Sequence, residues 1–183
     1  MNDVALRDVI WLDDEHGSRY AFALAPWRRA LEQNLGRYRA RLLCCRTLDS
    51  FADQVKQGVE RKSIALLIID VMLAYDEPQH DFSPLGFPDE ALFPLEAGAQ
   101  IAGLLRSSEF DGKRPEWLAA ACSTPLMMLS ASPQTHSWVV RNVGASRMKG
   151  VAIVLKNLSR SSDGHTLVPA AEFVETLDQL LVR

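Results

Sequence analysis

Cysteine is scarce in this chain: there are three residues, and none belongs to a CxxC pair. Cys44 and Cys45 are adjacent in an apolar run and have no easy mutual bridge, while Cys122 stands alone. Neither a zinc site nor a thiol redox centre is expected, and the thiols read as buried and free. The four histidines, His16, His80, His136 and His165, are scattered without metal-ligand spacing and read as surface or loop residues. There is no basic block or tail, and the formal net charge is −3, so nothing argues for a nucleic-acid surface. No apolar run approaches the length of a bilayer span. The start, "MNDVALRDVIWLDDE", is acidic and lacks the basic-then-apolar layout of a signal peptide. The expectation is a cytoplasmic protein that engages neither membrane nor nucleic acid.

What remains is the composition of a globular domain. Of 183 residues, 48% are hydrophobic and 23% charged, which suits one domain with a sizeable core. The apolar runs "DVIWL" (8–12), "RARLLCC" (39–45), "SIALLIID" (63–70), "PLMMLS" (125–130) and "GVAIVLK" (150–156) are continuous rather than alternating. Strands buried on both faces of a parallel sheet have this pattern.

Helical patterns lie between them. "PWRRALEQNLGRY" gathers Trp27, Ala30, Leu31 and Leu35 on one face, with Pro26 in the first turn. "TLDSFADQVKQG" is capped at Thr47 or Asp49 and is expected to stop at Gly58. "LEAGAQIAGLLRSS", "THSWVVRNVGA" and "AAEFVETLDQLL" complete five strand–helix pairs, with a further helical turn expected in "PEWLAAAC". Right-handed crossovers then give an open α/β sandwich with helices on both faces. No repeat and no second domain is evident, so residues 1–183 read as a single domain. Residues 75–94, "YDEPQHDFSPLGFPDEALFP", form an insertion with four prolines after the third strand. It reads as a partner-binding or gating element outside the core.

Polar residues close the strands. The first ends in Asp13-Asp14-Glu15, the third in Asp70, the fourth in Ser130 and the fifth in Lys156. In an open α/β sheet these carboxyl ends share one crevice. Clustered carboxylates repel one another and invite a divalent cation, and an all-oxygen set favours Mg2+. A carboxylate nucleophile beside Mg2+, an ammonium and a hydroxyl is equipped to accept a phosphoryl group.

The pieces "VIWLDDE", "LLIIDVML", "EAGAQIAGLLR", "MMLSAS", "NVGAS" and "VLKN" occur in an order that resembles the receiver domain of two-component response regulators. The resemblance spans residues 8–181. It implies a flavodoxin-like (βα)5 sandwich with a five-stranded parallel sheet in the order 2-1-3-4-5. It implies Asp70 as phosphoacceptor, with Mg2+ held by Asp14, by Asp13 through water, by Asp70 and by the backbone carbonyl of Met72. Ser130 and Lys156 would engage the phosphoryl oxygens. A histidine kinase or histidine phosphotransfer protein would supply the phosphate in a phosphorelay. Output would pass to a partner protein, since the chain carries no output domain before Arg183. Such a module is a signalling protein rather than a metabolic enzyme, limited to its own phosphorylation and dephosphorylation.

The sequence departs from that family at Asn157, where proline usually follows the lysine, and at Ile153, where an aromatic is common. These departures keep open a second reading, a pseudo-receiver that binds proteins without being phosphorylated. An Asp-nucleophile phosphohydrolase of the haloacid dehalogenase kind would show DxD after the first strand, whereas Asp13 and Asp14 are adjacent.

Overall fold

Five strands run parallel through the middle of the molecule: β1 (Arg7–Leu12), β2 (Ala40–Cys45), β3 (Ile64–Asp70), β4 (Leu126–Ser130) and β5 (Val151–Leu155). Their order is β2-β1-β3-β4-β5, the expected flavodoxin-like α/β arrangement. The structure is a computed structural model that describes residues 6–18, 21–73, 82–87, 97–131, 150–161 and 166–182.

Side-chain alternation along the strands divides the core in two. Val9, Trp11, Leu66 and Ile68 face α1 (Ala25–Leu35) and the C-terminal helix, while Ile10, Leu12, Leu67 and Ile69 face the opposite layer. That layer contains α2 (Leu48–Arg61), α3 (Ala97–Arg106) and the short α4 (Glu116–Ala121); the C-terminal helix is α5 (Ala171–Leu181). Covering both faces with helices explains the unbroken apolar strands. The helix expected in "THSWVVRNVGA" lies outside the described residues. No helix among the described residues is long and apolar enough to cross a membrane.

Thr47 caps α2 by accepting the Ser50 backbone N–H, and Ser50 reciprocates. Gly58 does not stop this helix, which continues to Arg61 and ends at Lys62 in the left-handed conformation. Gly58 is buried instead against the side chains of Ile64 and Ile10, which leave little room for a Cβ. The thiols need correction as well. All three are free, but only Cys45 is buried, with its pKa pushed up to about 12 mainly by burial; Cys44 is exposed on the edge strand β2 and Cys122 is half-buried.

Two features have no counterpart in the sequence pattern. After β5 the chain forms an antiparallel hairpin, β6 (Leu158–Arg160) with β7 (Leu167–Pro169), and β7 packs against α1. The second lies in the 75–94 insertion. Its described residues, 82–87, form a tight turn closed by the Phe87 N–H donating to the Phe82 carbonyl at 3.1 Å. Phe82, Leu85 and Phe87 are buried within the core layer that contains Phe51 and Leu118. This part of the insertion is core, contrary to the expectation of a separate gating element. Apolar side chains too numerous for a solvated loop are satisfied by the domain itself. Phe82→Ala should therefore cost about 3–5 kcal/mol. Chemical denaturation that finds less than about 1 kcal/mol lost would return the turn to the surface.

Candidate functional site

The crossovers from β1 and β3 leave in opposite directions along the sheet, because β1 is followed by β2 on one side and β3 by β4 on the other. A crevice opens between their carboxyl ends at such a switch point. Asp13 follows β1 directly and remains tied to the sheet, its N–H donating to the Cys45 carbonyl at 3.0 Å. Asp70 is the last residue of β3, and the next N–H, that of Val71, donates to the Leu129 carbonyl at 2.8 Å. Lys156 follows β5, its N–H donating to the Ser130 carbonyl at 2.8 Å. Backbone ladders thus hold Asp13, Asp70 and Lys156 at the strand ends.

Asp13, Asp14 and Asp70 each offer an oxygen within 4.8 Å of the others. Asp13 and Asp70 are buried, and Asp14 is half-buried. Lys156 Nζ lies 2.9 Å from Asp13 Oδ2 and 2.9 Å from Asp70 Oδ1, bridging the first and third strands from the fifth. The contact with Asp70 is an ion pair whose geometry falls short of a hydrogen bond. Asp13 Oδ1 also accepts the Glu15 N–H at 3.1 Å. Burial pushes the Asp70 carboxyl well above the usual range; Lys156 opposes this, while Asp13 and Asp14 add to it. Burial would lower the Lys156 ammonium, but Asp70 and Asp13 outweigh it and keep the group charged. Ser130 is fully buried at the end of β4.

A cavity of about 260 Å³ opens onto this cluster. Asp14, Glu15, Asp70 and Lys156 form its charged side, with Met72 beside Asp70. Ala23, Leu24, Trp27, Ala131 and Leu158 form an apolar side. The structure therefore brings together Asp13, Asp14, Asp70 and Lys156, with Met72 lining the same cavity. It also adds Glu15, whose carboxyl is raised mainly by burial. Sequence reading placed Glu15 at the strand end without assigning it to the site. The apolar wall had no signal, because Leu158 and Trp27 lie on distant segments. His16 is a correction: it is buried rather than on the surface, its ring set edge-on to Trp11 at 4.4 Å and 84°.

The donor set fits a hard divalent cation. Three carboxylates face one ammonium, all the acidic donors are oxygens, and burial penalises their uncompensated charge. Asp13, Asp14 and Asp70 would hold such an ion. No family model matches this sequence, and no curated protein or solved structure matches it significantly.

Proposed function

We propose that this protein is a phosphoacceptor of the receiver kind, phosphorylated on Asp70 in a two-component or phosphorelay pathway in the cytoplasm. The observation that carries the reading is the position of Asp70: buried at a strand end, at the sheet's switch point, within reach of two further carboxylates and ion-paired to Lys156. A structural ion pair would need one carboxylate for Lys156; two more beside it raise the electrostatic cost and have a chemical use.

In the reaction an Asp70 oxygen attacks phosphorus and the bond to the donor's leaving group breaks. In this reading Lys156 turns its ammonium from the Asp70 carboxylate to an incoming phosphoryl oxygen, and the Ser130 hydroxyl donates to another. Bound Mg2+ would neutralise charge on the transferring group. Asp13, held by Lys156 and the Glu15 N–H, keeps its orientation throughout. The donor is a phosphohistidine on a histidine kinase or phosphotransfer protein, and output passes to a partner protein. The pseudo-receiver reading rests on Asn157 and Ile153, and one experiment separates the two.

With acetyl phosphate and Mg2+, wild-type intact mass should rise by one phosphate. Asp70→Asn should abolish the gain, and Asp14→Ala should reduce it at least tenfold. Wild type that stays unmodified under conditions that label an ordinary receiver would establish the interaction-module reading instead.

A further inference from the structure

The cavity beside Asp70 is larger than a phosphoryl group requires. Its volume of about 260 Å³ compares with roughly 30 Å³ for each water of the liquid. Its charged side is at Asp14, Glu15, Asp70 and Lys156, and the rest of its lining among the described residues is apolar. The apolar wall is built from four separate places, one of them Ala131 just after β4. Ala23 and Leu24 come from the 3-10 turn Ala21–Leu24, Trp27 from α1, and Leu158 from the first strand of the hairpin. Leu158 lines the cavity and is 40% exposed, so its side chain is accessible to a bound group.

With a divalent cation on the carboxylates to offset their charge, a ligand that fits both halves would carry an anionic phosphoryl group at one end and a compact apolar group at the other. The two ends of a phosphoryl donor meet that description. The phosphorus must lie against Asp70, so the leaving group extends away from it into the remaining space.

We propose that the apolar wall is a leaving-group subsite, which makes Asp70 selective for acyl phosphates whose acid is aromatic or compactly apolar. This rests on the phosphoacceptor reading above and names, beside the phosphohistidine donor, the class of small-molecule donor that the same site takes. In the step, an Asp70 carboxylate oxygen forms a bond to phosphorus. The phosphorus–oxygen bond to the acyl group breaks, and its electron pair leaves on the carboxylate of the released acid. No proton is transferred and nothing is oxidised or reduced.

The test compares benzoyl phosphate with acetyl phosphate at equal concentration and Mg2+, with initial rates of labelling read by intact mass. Benzoate and acetate are leaving groups of similar basicity, so a chemical preference is small. Covering roughly 60 Å² of apolar ring surface predicts about a tenfold faster rate with the benzoyl donor. Leu158→Asn should bring the ratio of the two rates down to about threefold or less; taking the ratio within one variant cancels any general loss of activity. Equal rates in wild type would overturn the subsite and leave Asp70 as a phosphoacceptor. A high ratio that Leu158→Asn does not change would place the preference outside this cavity and also overturn the proposal. Labelling by neither donor would remove the phosphoacceptor reading itself, and the subsite with it.

Discussion

Gly98→Ala is expected to destabilise the protein by about 3 kcal/mol or more and to suppress labelling of Asp70. Gly98 lies in the first turn of α3, and its N–H donates to the Val71 carbonyl at 3.2 Å. A Cβ at this position would fall on the Asp70 carbonyl oxygen, 2.8 Å from its carbonyl carbon and 3.0 Å from Val71 Cα. All of these atoms are backbone at the end of a central strand, so no rotamer change makes room. Either α3 lifts off the sheet or the end of β3 shifts, and the second carries the Asp70 carboxylate away from Lys156 and Asp13. Gly103, in the same helix, has nothing within 4 Å of the equivalent point. Gly103→Ala should therefore gain about 0.5–1 kcal/mol from helix propensity and leave labelling unchanged. Thermal unfolding and acetyl-phosphate labelling of both variants check this. Equal stability of the two would show that α3 does not approach the strand as closely as the structure has it.

The second large effect is expected at the opposite end of the sheet. Asp8, the second residue of β1, is fully buried. Its Oδ1 lies 2.7 Å from Arg41 Nε and its Oδ2 3.1 Å from Arg61 Nη2, and the Ser63 hydroxyl donates to Oδ2. Burial would raise this carboxyl, but Ser63, Arg41 and Arg61 outweigh it and hold it below the usual carboxylate range. Both arginines are about half exposed, so removing Asp8 leaves cations that water can solvate. Removing both arginines leaves a buried anion that water cannot reach. Asp8→Asn should thus cost about 2 kcal/mol. The double variant Arg41→Ala with Arg61→Ala should cost about 3–5 kcal/mol. Adding Asp8→Asn to that double variant should restore part of the loss; no restoration would falsify the buried-charge explanation.

The pH dependence has a definite sign. Because the folded pKa of Asp8 is depressed, its stabilisation is fully present above the unfolded value of about 3.9 and is lost as pH falls through the folded value. In the double variant both arginines are gone, and of the groups that lowered the pKa only Ser63 still opposes burial, so the pKa rises. Protonation then relieves the variant at higher pH, and the stability gap to wild type narrows toward acid. Denaturant midpoints between pH 7 and pH 3 measure this.

Much of the architecture is legible in the chain itself. The five strands are continuous apolar runs because helices cover both sheet faces, so nothing along each strand needs to be polar until it ends. The same logic makes the strand-end polar residues stand out: the pair Asp13 and Asp14, Asp70 and Lys156 are conspicuous because they directly follow apolar residues. Thr47 as a cap is equally local, since the bonds it makes reach only three residues ahead.

Other features depend on distances that the chain order does not contain. Whether Lys156 meets Asp70 alone or also Asp13 follows from strand order and register, and the structure shows that it bridges both. Phe82, Leu85 and Phe87 sit among prolines and acids and have no helical or strand period. Their burial depends on space beneath the layer of α2 and α4. The hairpin of β6 and β7 has only three residues per strand and is largely exposed, too short for any periodicity to register. Gly98 resembles any helical glycine until the Asp70 carbonyl is seen against it, and Asp8 resembles a misplaced acid until Arg41 and Arg61 arrive from other elements. The sequence by itself determined the strands, most of the helices and the chemical types at the strand ends, because burial and capping act along the chain. Only the tertiary structure decided which charges pair, what the insertion packs against and how wide the cavity is, because those depend on contacts between residues far apart in the sequence.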